Sequence, residues 1–431
     1  QHNAWVYQGG GLELLRELYG VPKALAAERI AAARAAVSVA GAAAQPQLGV
    51  EASAQSGRSD PSLPRSDRLA LGAQANWELD LFGRLDAARQ ASQARLEAAL
   101  LAWHDGRVSL AAEVASAYVT LRACEAQLAQ GELDLQSRAE TARLTTLSAN
   151  AGLLAPADAA LARASAATAR QQQTAGRLAC ERQVKALVAL SAQPESALRE
   201  RLAPGRGQVP ALGSAPLPQV PAALLALRPD LVESQARLRA AAADVLQAER
   251  DQLPRLSLSG QIGVAHSRSV GLSASGSTWS LGPLALTLPL WDGGARAAQQ
   301  RAAQAAYDSL RTQLEAQVRG AVRDVEQALL ALQASQDRRA DAQMAVDGFD
   351  TALRATQARQ RGGVASLFEL EDARRQAVAA RNVLIELDQQ RALAAVSLVR
   401  ALGGGWRADD APAPSDPMPA SATAGAGLTT R

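Results

Sequence analysis

This chain of 431 residues is short of most of what a compact protein builds with. Aromatics are only 3% of it, so bulky apolar fill is scarce, and its helices must pack through small side chains or line something wet. Two cysteines, Cys124 and Cys180, exclude a disulfide-rich scaffold and any cysteine-based zinc site. The histidines His2, His104 and His266 fall in three separate segments, which leaves no catalytic or metal-binding constellation. The glycine triplets at Gly9–Gly11 and Gly403–Gly405 lack the Lys-Ser/Thr of a phosphate loop. No run of ~18 apolar residues is present, so no helix is expected to cross a membrane. Charge is nearly balanced, 45 Lys plus Arg against 42 Asp plus Glu, with no dense basic run, and nucleic-acid binding finds no support. No enzyme chemistry and no cofactor are expected.

What is present is Ala, Leu, Arg, Gln and Glu in long segments, the profile of long helices. Between them stand short stretches of strict alternation. In "QLGVEASAQSG", Leu48, Val50, Ala52 and Ala54 share one face, and polar residues fill the other; "RLALGAQANWELD" repeats the pattern. These predict a hairpin over 47–81 with a polar, proline-containing loop over 58–67. From Leu85 to about Asn150 no proline interrupts, which predicts a helix of about 65 residues, ~100 Å long. "NAGLLAPAD" breaks it, and a second helix runs to about Leu190. A Pro/Gly-rich stretch over 191–221 reads as an irregular connector.

The series then restarts. A helix begins near Asp230, a possible cap, and ends at Pro254. A second hairpin is expected over 255–291, with "RSVGLSASGS" as its loop and its last strand running through Leu284, Leu286, Leu288 and Leu290. A second long helical hairpin spans 295–402, broken at "RGGVASLFELED". Pro46 matches Pro254, Gly83 matches Gly293, Gly152 matches Gly363 and Leu190 matches Leu402, at a nearly constant offset. The chain therefore reads as an atypical N-terminal segment (1–24), a first repeat (25–190), the connector, a second repeat (222–402) and a tail (403–431).

Strands of about ten residues are long enough to cross a bilayer when tilted. One face would meet lipid and the other a wet lumen, and only a closed barrel satisfies such backbone in lipid. Four strands close no useful barrel, so several chains must contribute. The helices fused to the strands through Gly83 and through Gly293–Gly294 would continue the wall as a helical tube. Trp77, Trp279 and Trp291 are expected at strand ends, as in an interfacial girdle.

Three stretches, "NWELDLFGRLDAARQA", "LRPDLVESQARLRAAAADVLQAERDQLPRLSLSG" and "LPLWDGGARAA", resemble the signatures of TolC-like outer-membrane efflux factors, specifically the NodT-type channels of resistance-nodulation-division pumps. The resemblance runs from about Leu25 to Trp406. It implies a mixed α and transmembrane β protein, a homotrimer in which each protomer gives four strands to a 12-stranded barrel. The barrel is continued by a periplasmic helical tube with an equatorial belt. It implies an outer-membrane location in a Gram-negative bacterium, outer-membrane lipid around the barrel, and a periplasmic adaptor and an inner-membrane pump as partners. The duct itself would be passive. The helical turns would then meet the adaptor, with Gly152, Leu153, Leu154, Gly363, Val364 and Ser366 as docking residues. Glu369 and Asp372, three apart on one helical face, match the acidic pair that rings the constriction in some members of that family. A soluble or periplasmic coiled-coil scaffold is the alternative, but it gives no reason for four strands of bilayer length.

Cys124 and Cys180 are equidistant from Gly152, so an antiparallel hairpin puts them at one height. A disulfide needs Cα atoms ~5.5–6 Å apart, whereas packed helix axes lie ~8–10 Å apart. Two free, buried packing thiols are therefore favoured, with a bond as the alternative if both face the seam.

Overall fold

The structure is a computed structural model that describes residues 23–58, 65–210, 228–269 and 272–404. The expected N-terminal segment through residue 22, the proline-rich half of the connector and the tail with Trp406 lie outside the described residues. A first helix, α1 (Lys23–Ala42), leads into β1 (Gln47–Gly57) and β2 (Ser66–Leu79). Then come α2 (Arg84–Asn150), α3 (Pro156–Ser191), the short α4 (Glu195–Leu202) and α5 (Pro229–Arg250). The series closes with β3 (Arg255–Ser269), β4 (Leu272–Thr287), α6 (Ala295–Arg361) and α7 (Leu367–Ala401).

The four strands form one antiparallel sheet in the order β1-β2-β3-β4. Its centre is the pairing of β2 with β3, from Ser66↔Ser269 to Leu79↔Leu256, which joins the two halves of the chain. β1 and β4 are left as open edges. The strands are 11, 14, 15 and 16 residues long, longer than the ten expected. The tract expected as a Gly/Ser loop is largely strand: β3 continues to Ser269, and residues from Leu272 onward pair with it as the first part of β4. The opposite end also shifts. β3 starts at Arg255, which pairs with Thr287, and no backbone remains for 288–291, so β4 stops four residues before Trp291.

The core is built largely of alanine. α2 and α3 pack along their length, and their best-filled layer joins Val114, Leu121, Val184 and Leu187 to Leu198 and Leu202 of α4. That helix corrects the expectation of a wholly irregular connector. Its two leucines are one turn apart and dock on the α2–α3 seam, which organises the segment after Pro194. Arg122, almost fully buried, fixes the chain beyond α4: it donates to Leu202 O at 2.6 Å and Pro204 O at 2.9 Å and pairs with Glu125. Gly207 N–H donates to the same Glu125 at 2.9 Å.

In this layer Cys124 and Cys180 are bonded, with Cα atoms 5.6 Å apart, and the favoured pair of free thiols is corrected. The helices come close here, and Cys124 Sγ lies 3.6 Å from Gly176 O on α3. Asp230 is not the cap of α5. Pro229 takes the first helical position after Arg228, and Asp230 accepts from the Arg228 guanidinium at 2.8 Å.

Candidate functional site: a barrel wall, two junctions and two helical tips

From the junctions to the Ala52–Leu71–Val264 row, the register puts the large apolar residues of all four strands on one face. Leu48 and Val50 lie across from Ala75 and Ala73, Leu71 from Val264, Ile262 from Trp279, and Leu256 from Leu286. These side chains stand on the surface: Leu48 is 82% exposed, Val50 78% and Leu284 61%. The other face carries Gln47, Glu51, Gln74, Asn76, Gln261 and Thr278. A face this apolar and this open belongs in lipid, and its reverse in water. Trp77 stands near the helix-proximal edge of the band, its indole donating to Ala44 O at 3.0 Å. Trp279 is within β4 rather than at its end, on the opposite edge of the band. Trp291 lies beyond the sheet and is 90% exposed.

Glycines in the left-handed region open both long helices. Gly83, with φ of 75°, precedes α2, and Gly294, with φ of 88°, precedes α6 directly after Gly293 at 66°. At each the chain turns from strand to helix within a few residues, a geometry that side chains with a Cβ resist. The first junction is tied by ions. Arg250 donates to Gly83 O at 2.6 Å, Arg84 pairs with Glu78 at 2.8 Å, and Asp80 accepts from Asp86 N–H at 2.8 Å. The second rests on one carboxylate: Asp292 accepts from Arg296 N–H and Gly294 N–H. Those backbone donors, Arg296 first, hold its carboxyl below the usual aspartate range.

At the far end the two helical hairpins turn at one height, because Thr141 on α2 meets Arg374 on α7 at 2.8 Å. Gly152 and Gly363 take φ of 73° and 75°. Leu153 and Val364 project from the turns, 77% and 78% exposed, with Leu154 beside them at 41%. Ser366 caps α7 by accepting from Glu369 N–H at 3.2 Å. Both acids of the expected gate face solvent, and each already has an arginine of its own: Glu369 accepts from Arg359 at 3.0 Å and Asp372 from Arg375 at 3.0 Å.

Sequence reasoning missed the acid between them. Glu371 is buried, accepts from Ser165 at 2.7 Å and from Arg374 at 2.7 Å, and lies 3.5 Å from Arg138. Arg138 in turn pairs with Asp134 at 2.7 Å. This buried set ties the second hairpin to the first. In "FELEDARR" nothing distinguishes Glu371 from its exposed neighbours except that it falls on the face of Leu370 and Arg374.

Among the described residues no group of acidic, His or Cys side chains is placed to hold a metal ion, and no helix is long and apolar enough to cross a membrane. His104 lies in α2 and His266 in β3; His2 is outside the described residues. What the arrangement offers is a wall: lipid on one side, water on the other, and a helical extension. That defines one protomer of a transmembrane β-barrel that continues as an α-helical tube. The model of the outer membrane efflux protein family matches residues 24–193 and 220–404, and the chain belongs to that family. It is 34% identical to outer membrane protein OprJ of Pseudomonas aeruginosa over 78% of this chain and 69% of that one. To nodulation protein T of Rhizobium leguminosarum bv. viciae it is 28% identical, over 97% of this chain and 85% of the relative. The solved outer-membrane channel OprN superposes with a TM-score of 0.83 at 28% identity, covering 92% of this chain and 90% of that one. The protein is an outer-membrane efflux channel of a Gram-negative bacterium, with the fold of a TolC-like trimeric channel to which each protomer brings four strands.

Proposed function

We propose that the chain forms the passive exit duct of a tripartite efflux system, as a homotrimer. An inner-membrane pump supplies the energy, and a periplasmic adaptor docks on the helical tips at Gly152, Leu153, Leu154, Gly363, Val364 and Ser366. Drugs, toxic compounds or secreted metabolites pass through it. The observation that carries this reading is the continuity of the protomer. A sheet with two open edges runs through left-handed glycines into two helices of 67 residues, and both hairpins end level in exposed apolar turns. Open edges of this length must be paired in a membrane, and the neighbouring protomers can pair them. The exposed leucine and valine of the tips are what a helical partner buries. Glu369 and Asp372 form the gate, its charge moderated by Arg359 and Arg375. The chain divides into two repeats, 25–190 and 222–402, around the connector 191–221; the two separate stretches of the family match support that division.

The test is export itself. Leu153→Asp combined with Val364→Asp is expected to abolish efflux-dependent resistance in a host that supplies the cognate pump and adaptor, with trimer abundance in the outer membrane unchanged. Full resistance in that variant would reject docking at the tips.

A further inference from the structure

The outward face of the sheet changes chemistry abruptly at the end remote from the helices. Moving away from the junctions, the last wholly apolar row across β1, β2 and β3 holds Ala52, Leu71 and Val264. The next holds Leu69 and His266, and the one after it Ser56, Asp67 and Arg268. On β4 the same face passes from Trp279 to serines, with Ser275 hydrogen-bonded to His266 Nδ1 at 2.6 Å. Arg65, just before β2, lies on this face too: it donates to Ser56 Oγ at 2.7 Å and lies 3.5 Å from Asp67, which also bonds Ser56. Arg268 stands opposite Asp67, is exposed, and forms no hydrogen bond or ion pair among the described residues.

Among the described residues of this rim, two arginines stand beside one carboxylate on the lipid-facing side, three rows beyond the tryptophan that ends the apolar band on β4. Helices fill the periplasmic end of the barrel, so this rim lies at the headgroups of the outer leaflet. A cation on the lipid side of a barrel, at headgroup height, meets phosphate before it meets solvent. We propose that Arg65 and Arg268 form a binding site for the phosphates of lipid A, the anchor of the lipopolysaccharide in that leaflet, with Ser56 and Asp67 holding Arg65 in place. A guanidinium can grip a phosphate through two parallel N–H donors, which suits arginine here better than lysine. The site rests on the reading of the chain as an outer-membrane barrel and is independent of the adaptor and the pump.

The experiment is lipid retention by the detergent-solubilised trimer, measured by native mass spectrometry with three probes: bisphosphorylated lipid A, lipid A stripped of its phosphates, and phosphatidylglycerol. Wild type is expected to bind bisphosphorylated lipid A about tenfold more tightly than either of the others, and Arg65→Gln with Arg268→Gln is expected to remove that preference. Equal binding of the two forms of lipid A, equal binding of phosphatidylglycerol, or an intact double variant that keeps the preference would each overturn the site. Should the double variant not assemble, Arg268→Gln alone decides, since it leaves Arg65 with Ser56 and Asp67: it is expected to weaken the preference for bisphosphorylated lipid A several-fold, and an unchanged preference contradicts the site. A trimer that conducts ions in a bilayer yet ignores the phosphates would sink the rim alone and leave the channel standing.

Discussion

α2 and α6 hold the same place in the two halves of the chain and are both 67 residues long, yet α2 buries thirteen side chains within the protomer and α6 seven. The first hairpin carries its own cross-link, Cys124–Cys180, and is braced from outside by α4 through Leu198 and Leu202. The second has no cross-link, and among the described residues its outside brace is α5, held by polar contacts from Ser234 to Gln317 and from Gln300 to Glu249. Its main layer sets Val325, Leu332 and Leu398 among alanines, and Val318, Val322, Leu330 and Met344 stay exposed along α6. The difference separates two kinds of stability. The first hairpin is finished by its own residues. The second leans on the first through Glu371, Arg138 and Arg374, and leaves an apolar flank that a trimer can cover.

That contrast can be broken most severely at Glu371. Removing its carboxylate by Glu371→Ala leaves Arg138 and Arg374 buried with one fewer anion, a change of about 3–5 kcal/mol for a buried pair. Hydrogen exchange is expected to accelerate over the lower part of α7, while the layer around Val114 and Leu187 stays protected. Uniform protection in both hairpins would show that Glu371 does not hold them together. The bond in the first hairpin comes next. Cys124→Ser with Cys180→Ser is expected to cost about 2–4 kcal/mol, seen as a lower denaturant midpoint, with exchange in α6 and α7 unaltered. Thiol labelling of the unfolded, unreduced chain is expected to find no free thiol; two would contradict the bond. The smallest effect is expected at the proposed gate. Glu369→Ala with Asp372→Ala should lower cation preference in planar-bilayer conductance only modestly, because Arg359 and Arg375 already offset both charges; no change at all would make these acids ordinary surface residues.

Much of this fold lies open in the sequence, for identifiable reasons. A period of two next to a proline-free run needs no tertiary context, so the hairpins, the long helices and the glycines between them could be read directly. The ends of β4 could not, because a strand's length depends on its partner: serines and glycines became strand where β3 was there to pair with them. The disulfide was half legible. Sequence spacing put Cys124 and Cys180 at one height, but the rotation of each helix and the close approach of the two at this level are properties of packing. Glu371 was hidden for the same reason, since its burial comes from α2 and α3, more than two hundred residues away in the chain. The tips were legible as turns, through their glycines and Pro156; that they stand level comes only from the contact between Thr141 and Arg374.

One four-stranded sheet with two open edges can be completed in a membrane only by other copies of the chain. Cross-linking of the detergent-extracted protein, followed by bilayer conductance of the same preparation, tests this most directly. The expected result is a ladder that stops at three chains and a preparation that opens ion-conducting pores. A stable monomer in aqueous buffer without detergent, and no conductance, would contradict it.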